Sequence, residues 1–353
     1  MSYRFFMIAI LCVTLLIPLR AQAMENPPYL VVLHYKDIGG DADGSVSMEE
    51  FIKHLEILKK DGRQVLSFHL AENFLKNAKP GEIGYIISVE NLTPANMPAI
   101  YEAVKEVGMS YLAFLKPEDW SDLAAQKYLR DKVASGYAVY ALTLSSPVLN
   151  EKEFQVELNK AVSDYRDIFS IGADYFLFPE GLYDEAMLDV VKNYDFEVLI
   201  GGAQGMATAE DNIWPRYDVT YLNADLNRFR ELLDIKPLHV TDKTPGVTLV
   251  KDAEPKVGFT LDEPIKNRDN LRCFLQGNGA QEVTYLSDKR VQIHPKLEEA
   301  GRKYYMNCIL RIDEKGGGYT YKWLGFILQP PEVVEEEGRD LEENEPVSSV
   351  SEE

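Results

Sequence analysis

Glu90 and Asn91 end a short apolar run, Gly84 to Val89, that reads as a buried strand. A loop containing Pro94 then leads into a helix with apolar positions at Met97, Ile100, Val104 and Val107. In α/β proteins the C-terminal ends of strands are where reacting side chains project. A carboxylate placed there could act as a general base. Arg216 or Lys36 could supply the charge that stabilises a developing anion. Glu180, also expected near a strand end, could instead pair with Glu90 as the two carboxylates of a glycosidase, a choice that depends on a separation the sequence does not give. The plain alternative for Glu90 is a salt-bridged structural carboxylate. Beyond the first residues the histidines are His34, His54, His69, His239 and His294, and only His34 falls where a strand could aim it towards the same end. They form no His-x-x-x-His or Glu-x-x-His pattern.

These groups need a scaffold, and strands alternate with helices over the first two thirds of the chain. Strands are expected at 29–35, 64–68, 83–89, 110–115, 138–144, 175–178 and 197–200, and amphipathic helices fall between them. The near-continuous apolar run from Tyr29 to Tyr35 suits a parallel strand covered on both faces. Ser47 and Glu50 form a capping box ahead of a helix with Phe51, Ile52, Leu55 and Leu58 on one face. This alternation fits an irregular (β/α) barrel of about seven strands, assigned to 24–236, with a doubly wound sheet as the alternative. After Pro237 the helical period fades and short strands alternate with Gly, Asn and Asp turns, so 237–331 is expected to form a small all-β sandwich.

The chain ends are read separately. Residues 1–23 combine Arg4, an apolar stretch from Phe5 to Leu19 and the small-x-small sequence at Ala21 and Ala23, as in a secretory signal peptide. The product is then exported, periplasmic or extracellular, with no membrane insertion. The acidic tail 332–353 is expected to be disordered. A net charge of -20, made more negative by loss of Arg4 and Arg20 with the leader, argues against nucleic acid as a partner. In an oxidising compartment Cys273 and Cys308, each inside an expected strand, are expected to pair. The stretch holding Asp41, Asp43 and Glu50 approximates an EF-hand calcium loop, but Gly39 stands where the first acidic ligand belongs and a strand precedes it where a helix should. The other reading is a polar loop ending in a helix cap.

Residues 28–235 resemble the polysaccharide deacetylase (NodB-homology, carbohydrate esterase) family in motif order and spacing. The family's opening strand, Val-Leu-Met-Tyr-His, is similar to Val32 through Lys36, and its Thr-Phe-Asp-Asp-Gly strand to Ser88 through Leu92. Its Phe-x-x-Pro-Tyr-Gly motif resembles Phe176 through Gly181, and a Leu-Pro-Arg-Ile stretch resembles Trp214 through Tyr217. A weaker likeness links 256–328 to a β-module that trails some exported deacetylases, through Gly301, Arg302, Asn307, Cys308, Trp323 and Gly325.

The resemblance implies hydrolysis of N-acetyl groups on a polymer of N-acetylglucosamine. In the family an Asp is the base for water on a divalent metal such as zinc, held by a second Asp and two His. Those positions fall here on Glu90 for the base and on Asn91, Leu142 and Ser146 for the ligands, none of the three an ionised oxygen or an imidazole. The implied outcome is a degenerate metal site without a cofactor, in a protein that binds a glycan. The substrate groove would include Tyr35, Lys36, Phe178, Pro179, Glu180 and Trp214. Tyr35, Trp120, Tyr140, Phe178 and Trp214 could stack on sugar rings, although each is an equally ordinary core aromatic. The alternative is a hydrolase of altered chemistry that removes N-acetyl groups or cleaves glycan with Glu90 as base.

Overall fold

A computed structural model describes residues 27–40, 44–145, 150–314 and 316–332. Seven parallel strands close into a barrel in sequence order: β1 (Tyr29–Tyr35), β2 (Ile83–Val89), β3 (Tyr111–Leu115), β4 (Ala138–Leu142), β5 (Tyr175–Leu177), β6 (Val198–Gln204) and β7 (Ile213–Val219). β1 closes the ring by pairing with both β2 and β7. Helices α1 (Met48–Lys60), α2 (Ala71–Asn77), α3 (Met97–Glu106), α4 (Leu123–Ala134), α5 (Glu151–Phe169), α6 (Glu185–Val191) and α7 (Leu226–Leu233) accompany the strands. Ser47 caps α1 through the expected box, and Asn150 caps α5 by accepting from the Glu153 N–H.

Strand alternation sorts the barrel side chains into two clusters. Tyr29, Val31, Leu33 and Tyr35 pack outward with Phe51 and Leu55 of α1, while Leu30 and Val32 point inward with Ile86, Phe114, Ala141 and Trp214. Phe68, Phe74 and Leu75, around α2, join the interior cluster.

One expected strand is absent from the barrel and another was missed. Residues 64–68 make one isolated bridge, Val65 to Tyr85, before the chain turns into the short helix Phe68–Leu70. The edge of β2 is free only at its start, because β3 pairs with it from Ile87 to Val89. The strand not expected is β7, which carries Pro215, a residue disfavoured in a strand interior. Its pairing with β6 carries a register shift between Ile200 and Gln204, and this irregular ladder accommodates the proline.

Two antiparallel sheets follow, built from β8 (Lys236–Pro237), β9 (Val240–Thr244), β10 (Val257–Leu261), β11 (Leu271–Leu275), β12 (Gly279–Gln281), β13 (Thr284–Tyr285), β14 (Arg290–Ile293), β15 (Tyr304–Asp313) and β16 (Tyr319–Leu328). One has the order β13-β14-β10-β9 and the other β12-β11-β15-β16-β8, with β8 added in parallel at its edge. Their shared core holds Phe259, Leu271, Met306, Phe326 and Leu328. Cys273 and Cys308 are register partners on β11 and β15 and form a disulfide inside this core. Replacing both by Ser is expected to lower stability by about 2–4 kcal/mol, checked by urea unfolding with and without reductant.

Residues 1–26, which include the expected leader, and Asp41, Asp43, Ser146 and 333–353 lie outside the described residues. Glu50 is committed to the helix cap, its Oε2 accepting from the Ser47 N–H at 3.1 Å and the Ser47 hydroxyl at 2.7 Å. Of the two readings of that loop, the described part matches the polar cap. Among the described residues no helix is long and apolar enough to cross a membrane.

Candidate functional site at the carboxyl end of the barrel

On β1, β2, β3 and β7 the inward set of side chains turns polar at the C-terminal end. β1 ends with His34, the segment from β2 with Ser88 and Glu90, that from β3 with Lys116, and β7 with Arg216 and Asp218. Phe114 lies beneath them, its ring 5.6 Å from that of His34 and 5.9 Å from the Arg216 guanidinium carbon. This places Glu90, Asn91, Arg216 and His34 at one end of the barrel, with Lys116 and Asp218 beside them.

Glu90 is the hub and is buried. Its Oε2 lies 3.2 Å from His34 Nε2 and 3.7 Å from Arg216 Nη1, while Arg216 Nε sits 3.7 Å from Asp218 Oδ1. His34 Nδ1 contacts the Ser88 hydroxyl at 3.3 Å. Burial alone would raise the Glu90 carboxyl, but His34, Arg216 and Lys116 together outweigh it and hold the group at about 2. Burial, then the Arg216 charge, pushes the His34 imidazole down, so it is neutral near pH 7. Despite these approaches His34 Nε2, Arg216 Nε and Nη1 and Asp218 Oδ1 lack an aligned hydrogen-bond partner, and all four are buried. A cluster of unsatisfied donors beside carboxylates is costly in a folded protein unless something polar fills it.

Lys116 donates from Nζ to Asn91 Oδ1 at 2.9 Å. Asn91 has a φ of 48° and Glu180 a φ of 51°, left-handed backbone at two strand ends of the mouth. Asn accepts this region more readily than most residues, a backbone reason for an amide at 91. Glu180 is half-exposed and bonded by Lys303 Nζ at 2.9 Å through its carboxylate and 3.1 Å through its carbonyl. Although burial acts to raise the Glu180 carboxyl, Lys303 and then Lys36 bring it down overall.

Several groove and ligand assignments are corrected. Tyr35, Phe178, Trp214, Trp120 and Tyr140 are all buried, so their rings are wall and core rather than sugar platforms. The Tyr35 hydroxyl meets His54 Nδ1 at 3.1 Å, and that of Tyr140 donates to Leu129 O at 3.0 Å. Pro179 is buried, whereas Lys36 is exposed. Leu142 packs outward with the helices; by alternation the next residue, Thr143, faces inward, with a buried, unpartnered hydroxyl. Among the described residues no group of three His, Cys, Asp or Glu is placed to hold a metal ion.

Two contributors were not visible in the sequence. Tyr305, from the second half of the chain, reaches Asp218, and burial with that carboxylate raises its phenol. Asp119, one turn beyond β3, accepts from the Lys116 N–H at 2.7 Å, and burial pushes its carboxyl up to about 6. Neither sits in a recognisable motif, and Tyr305 is brought in by domain packing alone. A groove of about 550 Å³ between α1 and α3, lined by Met48, Ile52, Leu55 and Ala103, lies on the helical layer away from these groups.

No family model matches the chain, and no curated protein matches it. Solved structures do. The deacetylase PplD of Streptococcus pyogenes, a complex with acetate, superposes with a TM-score of 0.52 at 13% identity, covering 60% of this chain and 100% of that one. IcaB from Ammonifex degensii superposes with a TM-score of 0.50 at 17% identity, covering 57% of this chain and 97% of that one. At these identities the likeness concerns the fold. The barrel of this protein has the polysaccharide deacetylase fold that its strand-end motifs resemble.

Proposed function

We propose that this is an exported glycan-binding relative of the polysaccharide deacetylases, in which fixed side-chain cations stand where the family's chemistry uses a metal. One observation carries the reading: Lys116 is bonded to Asn91 and Arg216 lies beside Glu90, the two positions the resemblance gives to metal ligand and base. A divalent ion placed there would meet two basic groups, at a cost on the order of 4 kcal/mol for each pair of unit charges at ~4 Å. The residues present therefore do not fit the metal, and no step is routed through one. A carboxylate held at about 2 is also a weak base near neutrality. The His34, Arg216 and Asp218 atoms that lack an aligned hydrogen bond instead suit a neutral ligand rich in both donors and acceptors, as a sugar is. The disulfide supports export to an oxidising compartment.

Titration calorimetry with soluble N-acetylglucosamine oligomers tests this. Binding of equal strength with and without chelator is expected; binding that requires added zinc would contradict it.

The second reading, a hydrolase of altered chemistry, has one observation in its favour. Asp119 is held at about 6, chiefly by burial with a smaller push from the Glu90 charge, while Glu90 is held at about 2, a separation of the kind that acid and base partners show. Glu180 does not serve as the acid, since its carboxyl is lowered. New reducing ends from chitin oligomers, lost in both Asp119→Asn and Glu90→Gln, would put this reading first.

A further inference from the structure

The five-stranded sheet has a core face and a second face, and the second face changes character along its length. The register places Tyr305 opposite Ile327, Asn307 opposite Gly325, Ile309 opposite Trp323, Arg311 opposite Tyr321 and Asp313 opposite Tyr319. β11 adds Arg272 beside Ile309 and Phe274 beside Asn307. At one end this face packs on the barrel. Trp323 meets the Tyr217 ring at 4.9 Å, and Gly325 lies so close to the Gln204 carbonyl that a Cβ there would sit 2.2 Å from its oxygen. Tyr305 reaches Asp218 of the mouth. At the other end the face is open: Tyr321 and Tyr319 are 51% and 61% exposed and their rings contact each other at 5.1 Å, while on the β11 side Phe274, level with Asn307, is 38% exposed.

We propose that this open face is a polysaccharide track that leads along the sheet into the barrel mouth, with Tyr305 at the junction. The inference rests on the glycan reading of the mouth and adds which surface carries the chain outside it. From Tyr305 to Asp313, the partner of Tyr319, is eight residues of strand, or roughly 27 Å at ~3.4 Å per residue, room for several linked sugar rings. Side chains on one face of a strand recur every second residue, so Tyr319 and Tyr321 present a paired aromatic surface of the kind that covers the C–H face of a pyranose. Arg272 and Arg311 stand among these rings, offering planar donors for hydroxyl and amide oxygens.

The occupant is fixed by continuity and charge. The same face that exposes the rings ends where Tyr305 meets Asp218, beside the buried Arg216 Nε and Nη1 and Asp218 Oδ1 that lack an aligned hydrogen bond, so a ligand on it is led to a site with unmet hydrogen bonds. A polyanion is disfavoured by the chain's net charge of -20. An uncharged, hydroxyl-rich polymer satisfies both ends.

The test compares the wild-type chain with Tyr319→Ser/Tyr321→Ser, both exposed positions, using an N-acetylglucosamine disaccharide and a long oligomer, with unfolding midpoints as the folding control. Wild type is expected to bind the long oligomer more tightly than the disaccharide. The double variant is expected to lose about tenfold on the long oligomer alone, about 1.4 kcal/mol. Equal long-oligomer affinity in the two proteins overturns the track and leaves the glycan reading standing. Wild type that binds neither sugar overturns the glycan reading itself, and the track with it.

Discussion

Arg216→Met is expected to destabilise the protein by about 3–5 kcal/mol, the cost of leaving a buried charge without its partner. Glu90 and Arg216 are both buried, and Arg216 also faces Asp218, so its loss leaves two carboxylates facing a neutral imidazole. The pH dependence should change in a defined direction. In wild type Glu90 is held at about 2, below its ordinary 4.5, so its contribution is present above pH 4.5 and lost as pH falls towards 2. His34 is held below its ordinary 6.5 by burial and by Arg216, so stability also falls below pH 6.5, where the unfolded chain takes up a proton that the folded site resists. Removing Arg216 raises both groups. The variant should be less stable than wild type at pH 7 and lose less on acidification. Urea midpoints from pH 7 down to pH 4 check this, and parallel curves for the two proteins would mean that Arg216 does not set the charge state of the site.

Gly181→Ala is expected to cost about 4 kcal/mol or more, or to prevent folding, and the reason is backbone. Gly181 has a φ of 75°, and a Cβ there would lie 2.2 Å from Gly202 Cα and 2.3 Å from its N. Neither atom can yield as a side chain would, so β6 would have to move away from the turn after β5. A Cβ on Gly202 would in turn meet Ile327 of β16 at 2.9 Å, so the same pair of glycines brings the barrel wall close to the second sheet. The variant is thus expected to loosen the Glu180–Lys303 contact as well as the barrel. Gly246→Ala, at a position with nothing within 4 Å, serves as the neutral control. Unfolding midpoints for the pair should differ sharply.

The barrel was legible because its strands are apolar on both faces and its helices carry one apolar stripe, patterns that local sequence expresses directly. Glu90 and Asn91 could be placed because a strand that ends in polar residues is itself a local pattern. Residues 64–68 have strand composition but reach only the beginning of β2's free edge, and that competition is a tertiary fact. The aromatic assignments failed for a related reason. Which way Tyr35 points depends on strand phase relative to the ring, and in an apolar run both phases look alike. Leu142 shows the same one-residue ambiguity, with Thr143 on the inward side. Tyr305 lies more than two hundred residues from His34, and only packing of the second domain brings it to the mouth.

The most direct measurement of the central claim is acetate release from N-acetylglucosamine oligomers by the purified protein with zinc, cobalt or manganese added in turn. With Arg216 beside Glu90 and Lys116 bonded to Asn91, no release above the protein-free control is expected with any metal, while the oligomers bind. Metal-dependent release that disappears in Glu90→Gln would contradict the account.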